Sequence, residues 1–123
     1  MKKQLILVMT ALSILAGCHD EQPLTREELI TKIEAGKNVS QVDTSEITDM
    51  SGLFKDNKEF NQDISDWNVA HVTNMDLMFY YNDSFDQDLT GWNLGSVNSM
   101  DKIFYNAYVV DSATREHFIL KHD

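Results

Sequence analysis

The sequence predicts an α/β solenoid of 25-residue strand-plus-helix units with a covering helix at each end, and three observations lead to it. First, laying the chain on itself with a shift of 25 aligns Ile47, Val72 and Val97, then Met50, Met75 and Met100, then Phe54, Phe79 and Phe104. Second, the columns Val39/Ile64/Leu89, Leu53/Met78/Ile103 and Phe60/Phe85/Val110 are also apolar, so every unit carries the same buried side. A fixed period between about 20 and 50 residues marks units that stack because none can bury its apolar face alone. Third, the period changes inside a unit. Alternation around Trp67 and Val69 suits a short strand, and Met75, Met78 and Phe79 at i, i+3 and i+4 suit one face of a two-turn helix.

In chain order, residues 1–17 have a basic start (Lys2, Lys3), an apolar stretch from Leu5 to Ala16 and a small-residue exit, the layout of a secretory leader. The stretch is shorter than the roughly 20 residues needed to span a hydrocarbon core. Leu15-Ala16-Gly17-Cys18 resembles the bacterial lipobox, which implies that Cys18 becomes the first mature residue, carries acyl chains and anchors the protein to a membrane. Each buried CH₂ adds about 0.8 kcal/mol, so several chains hold where one is marginal. Cys18 is the single cysteine, so no intrachain disulfide can form.

Residues 18–24 read as an acylated tether and residues 25–38 as a capping segment. Within that segment Thr25 and Glu28 form a capping box, Leu24 and Leu29 are placed as a hydrophobic staple, and Gly36 ends a helix over about residues 26–35. The repeats fill residues 39–111. Thr73 with Asp76, and Asn98 with Asp101, are read as helix caps, and Asn57 and Asn82 as left-handed residues just past the helices. Residues 112–123, with Phe118, Ile119 and Leu120, form the C-terminal cap.

The formal charge is −10, and loss of the leader, with two lysines and no acid, takes it to −12. Such a domain repels nucleic acid and has no polybasic attachment to anionic lipid.

Phe60-Asn61-Gln62-Asp63-Ile64-Ser65-Asp66-Trp67-Asn68-Val69 and Val72-Thr73-Asn74-Met75-Asp76-Leu77-Met78-Phe79 resemble the repeat of the BspA-type leucine-rich-repeat surface proteins. The resemblance covers about residues 39–111 and implies a leucine-rich-repeat-like solenoid displayed by bacteria for adhesion or protein contacts, with no catalytic residues. The third copy departs from the phrase, reading Val110-Asp111-Ser112-Ala113.

Trp67 and Trp92 share a column with Val42, which assigns them to the core, as it does the Met50/Met75/Met100 column. On the outward side of the expected strands, Asp43, Asp66, Asn68 and Asn93 are candidates for binding a partner, with structural hydrogen bonding as the plainer alternative. Tyr80 over Tyr105, with Tyr81 and Tyr108 near, is a second candidate surface. Asp63, Asp86 and Asp88 supply hard oxygen ligands for a calcium ion but match no recognised calcium loop. The Asp63/Asp88 pair would suit a retaining glycosidase only if a deep pocket surrounded it. His19, His71, His117 and His122 lack metal spacing, and no cofactor motif is present. The expectation is therefore a non-enzymatic, lipid-anchored envelope protein that binds a protein or host-surface component. The residue after the anchor, His19, favours an outer membrane or the cell surface. The alternative is a periplasmic structural lipoprotein.

Overall fold

The computed structural model describes residues 22–122. The leader, Cys18, His19 and most of the tether lie outside these residues. Among them the regular elements are two helices, α1 (Arg26–Glu34) and α2 (Ser112–His122), and two isolated parallel bridges, Asp49 to Asn74 and Asn74 to Ser99. This overturns the strand-plus-helix solenoid: residues 65–71 and 75–81 contain neither the expected strand nor the expected helix. The units are irregular coils of turns, here coil 1 (39–63), coil 2 (64–88) and coil 3 (89–111).

The backbone explains the correction. Where the helix was expected, residues bond three back rather than four: Met78 N–H to Met75 O, Tyr80 to Leu77 and Asn82 to Phe79, at 3.0–3.2 Å. Every fourth residue is left-handed, with Leu77 at φ 60° and Tyr81 at φ 58°. The equivalents Gly52 and Asp56, and Lys102 and Asn106, repeat this. Such a residue ends a helix each time it occurs. The N–H groups in between leave the coil. Met50, Gly52, Phe54 and Asp56 donate to the carbonyls of Asn74, Asp76, Met78 and Tyr80, and Met75, Leu77, Phe79 and Tyr81 donate to Ser99, Asp101, Ile103 and Tyr105, all at 2.8–2.9 Å. One set of alternate donors closes turns and the other joins coils, so the backbone is satisfied without a helix or a sheet. Met75, Met78 and Phe79 still point inward, which is why their spacing looked helical.

The corners of each coil are closed by short polar side chains accepting the N–H two residues on. Asn38, Asp63 and Asp88 bond Ser40, Ser65 and Thr90; Asp43, Asn68 and Asn93 bond Ser45, Ala70 and Gly95. Asp49 and Asn74 serve Ser51 and Asp76, and Asn57 and Asn82 serve Glu59 and Ser84. Asn57 and Asn82 are thus corner acceptors; the left-handed residues are their neighbours Asp56 and Tyr81. Asn82 is fully buried and its Oδ1 also accepts from Phe85. Thr73 caps no helix; its hydroxyl donates to Thr48 O in coil 1.

The core lies between the turn ladder and the corners, and its side chains repeat from coil to coil. Trp67 and Trp92 stack with ring centroids 6.4 Å apart and planes 6° apart. Their indole N–H groups donate to Val39 O and Ile64 O of the preceding coil at 2.8 and 3.0 Å, so each tryptophan also pins two coils together. Phe79 lies between Phe54 and Phe104 at 5.4 and 5.6 Å, and Phe60 stacks on Phe85 at 6.0 Å. Met50 and Met75 are fully buried, whereas Met100, at the last coil, is only half-buried.

Helix α1 has the capping box expected of Thr25 and Glu28 and ends before Gly36, whose φ of 72° turns the chain away. Its buried side is Leu29, with Leu24, Ile30 and Ile33 packed against the core. Arg26, on its first turn, donates from both guanidinium nitrogens to Asp49 O and Ser51 O at 2.9 and 2.8 Å. At the other end α2 buries Phe118 against Trp92 and Phe104. Thr114 Oγ1 accepts from Leu89 N–H, and His117 Nε2 lies 2.9 Å from Trp92 O.

Candidate functional site

The proposed row of Asp43, Asp66, Asn68 and Asn93 does not lie on a sheet, because the described residues form none there. Asp43, Asn68 and Asn93 hold corners at 2.9–3.0 Å, and Asp66, Asn68 and Asn93 are exposed. Gly95 takes the place of Ser45 and Ala70 in the third such corner, where a Cβ would come 3.0 Å from Asn93 Oδ1. Hydrogen bonds from the Ser45 hydroxyl and N–H hold the Asp43 carboxyl below the usual carboxylate value. The Ser65 hydroxyl and N–H do the same for Asp63, and the Thr90 N–H and hydroxyl for Asp88. At Asp49 partial burial opposes ionisation, but hydrogen bonds from Ser51 and the charge of Arg26 outweigh it.

Asp63 and Asp88 stand in equivalent, exposed corners, each engaged by its own Ser65 or Thr90, and Asp86 bonds Asn61 instead. Among the described residues no three His, Cys, Asp or Glu side chains converge as metal ligands. The two grooves described below are lined by other residues.

The second predicted surface is assembled. Tyr80 stacks on Tyr105 at 5.3 Å, and Tyr81 meets both edge-on at 4.8 and 5.7 Å. Three of the ten basic residues join them: Lys55 lies over Tyr80, Lys58 over Tyr81 and Lys102 over Tyr105, at 5.7–5.9 Å. Tyr105 is 47% exposed, and Tyr108, 75% exposed, donates its hydroxyl to Asn106. Partial burial first, then the neighbouring Tyr105, Tyr80, Tyr108 and Asp56, raise the Tyr81 hydroxyl above its ordinary value. In a chain of charge −10 this flank gathers cations and ring faces, the combination that receives acidic or aromatic groups. Sequence reasoning named the tyrosines and missed the lysines. Lys55 was findable, because it shares a column with Tyr80 and Tyr105.

Each end of the stack also carries a groove. One, of about 310 Å³, lies between the start of α1 and residues 46–49 and includes Arg26. The other, of about 580 Å³, lies between coil 3 and α2 and is the more apolar, with Met100, Phe104, Phe118 and Ile119 in its walls.

Residues 27–119 match a family described as Mycoplasma protein of unknown function, DUF285. No curated protein and no solved structure matches the chain.

Proposed function

The chain belongs to the family described as Mycoplasma protein of unknown function, DUF285, and from that premise we propose that it is a lipid-anchored bacterial surface protein of the BspA type that binds a protein or host-surface component. The observation that carries the reading is the tyrosine–lysine flank, where Tyr80, Tyr81 and Tyr105 are held in fixed mutual geometry beside Lys55, Lys58 and Lys102. A preorganised aromatic patch loses little side-chain freedom on contact, which favours binding. Two sequence features support the rest. The Leu15-Ala16-Gly17-Cys18 phrase supports acylation at Cys18, and the strongly acidic composition leaves attachment to the acyl chains rather than to basic residues.

Three measurements test it. Labelled palmitate enters the full chain in its host and not the Cys18→Ser variant, and protease added to intact cells removes the protein from the surface. Protection from protease while acylation persists would favour the periplasmic structural lipoprotein instead. Beads coated with the full chain adhere to host cell layers, and Tyr80→Ser with Tyr105→Ser lowers adhesion about tenfold, the order expected when aromatic contact residues are truncated. Unchanged adhesion removes the flank from the contact.

A further inference from the structure

Coil 3 repeats the donor half of the ladder with nothing beyond it. The N–H groups of coil 1 at Met50, Gly52, Phe54 and Asp56 reach coil 2, and those of coil 2 at Met75, Leu77, Phe79 and Tyr81 reach coil 3. In the same columns, the N–H groups of Met100, Lys102, Phe104 and Asn106 have no acceptor among the described residues. The first three line the 580 Å³ groove, and Asn106 lies just beyond it. Across the groove stand Phe118 and Ile119 of α2, with Ile119 59% exposed. Helix α2 satisfies the Leu89 and Trp92 side of this coil and leaves the turn side open.

We propose that this groove receives a segment of a partner protein folded into the same chain of turns, docked by main-chain hydrogen bonding as one more half-coil. Carbonyls at alternate residues of the segment accept from the four N–H groups, and its apolar side chains pack on Met100, Phe104 and Ile119. Edge addition of this kind takes its affinity from the backbone and its selectivity from the pockets between. The geometry disfavours the other occupants. A second copy related by a two-fold axis sets donors against donors. A second copy added head to tail must present the carbonyls of coil 1, and Arg26 already holds those of Asp49 and Ser51. A lipid surface offers no row of acceptors at two-residue spacing. The site adjoins the stacked tyrosine–lysine flank, sharing Lys102 and Tyr105 with it, and is independent of acylation at Cys18.

The test uses the isotopically labelled full chain and a synthetic peptide copying Val72–Asn82, whose carbonyls at Asn74, Asp76, Met78 and Tyr80 are the ones coil 1 engages. The amide resonances of Met100, Lys102, Phe104 and Asn106 are expected to shift on titration, and their hydrogen exchange to slow by about tenfold or more as the donors become bonded. Ile119→Asp, at an exposed position, is expected to weaken the peptide by about tenfold, the factor that 1.4 kcal/mol of lost contact produces. Unchanged shifts at Met75, Leu77, Phe79 and Tyr81 certify that the variant is folded. No shift of the four amides at millimolar peptide overturns the proposal, as does equal binding by the variant. Protection of the same amides that grows with protein concentration alone assigns the groove to a second copy, and this too overturns it. Loss of palmitate labelling at Cys18 would defeat the anchored reading and leave this result untouched.

Discussion

Arg26 and Arg115 sit at opposite ends of the same stack and each grips two backbone carbonyls, yet they close different things. Arg26 reaches out of α1 to carbonyls of coil 1, standing where the N–H groups of a preceding coil would stand. Arg115 bonds Val110 and Ala107, carbonyls of the chain leading into its own helix, and lies over the Phe104 ring at 5.6 Å. The first seals part of the ladder; the second braces α2 and leaves the ladder as it was. The difference has a physical root. Along the turn ladder the open edge of coil 1 presents acceptors, which a guanidinium fork fits, whereas that of coil 3 presents the donors Met100, Lys102, Phe104 and Asn106, which call for an oxygen at every second residue. None of the described residues supplies that row.

Removing the middle of the aromatic ladder should have the largest effect. Phe79→Ala should cost about 3–5 kcal/mol, because the ring is fully buried between two others. Phe104→Ala, half-buried at the open end, should cost about 1.5–3 kcal/mol. Denaturant midpoints compare the two, and equal losses would mean that the end is as closed as the middle. Arg26→Ala should cost about 1–3 kcal/mol by leaving two carbonyls without donors. Arg26→Lys should recover less than half of it, since an ammonium cannot fork to both. Full rescue by lysine would reduce Arg26 to its 3.7 Å charge pairing with Asp49.

A smaller contrast lies in one column. Gly52 occupies the left-handed turn position near the amino end, and Lys102 occupies it near the carboxy end at φ 55°. Left-handed geometry costs a non-glycine residue about 1–2 kcal/mol, and glycine returns roughly half of that as lost chain entropy. Lys102→Gly should therefore stabilise by about 0.5 kcal/mol, read as a rise in melting temperature. The smallest effect should come from acid. Asp43, Asp63 and Asp88 have folded-state values below their unfolded ones, so their contribution is present above the usual carboxylate value and is lost as pH falls through the depressed one. Melting temperature should hold near neutrality and drop below about pH 4, and Asp63→Asn with Asp88→Asn should flatten that limb.

What the sequence disclosed divides along physical lines. The 25-residue columns placed Trp67 over Trp92 and Phe54 over Phe79, because side-chain burial follows a repeat whatever the backbone does. Thr25, Glu28 and Gly36 specified α1 through local hydrogen bonds. The course of the backbone between columns was misread. Inward spacing at Met75, Met78 and Phe79 is shared by a helix and by this chain of turns, and only the left-handed Leu77 and Tyr81 separate them, residues with no such preference. The corners were half legible: Asp43, Asn68 and Asn93 stood out as polar and periodic, but whether they faced a partner or their own backbone was left open. The donor edge at Met100–Asn106 was invisible, since it depends on which N–H groups leave the coil.

Because the alternate N–H groups of each turn ladder leave their coil toward the next one, and among backbone-to-backbone bonds only the residues just before the ladder donate backward, the molecule has a direction, like a zip fastener with most of its hooks on one side of every tooth row. A whole unit can be inserted or deleted between the ends without creating any surface that the others lack, so duplication in steps of 25 residues is nearly free of structural penalty. A change of any other length moves the polar corners out of line and strands the hooks. Lengthening by copying, rather than by gradual insertion, is the route this architecture leaves open.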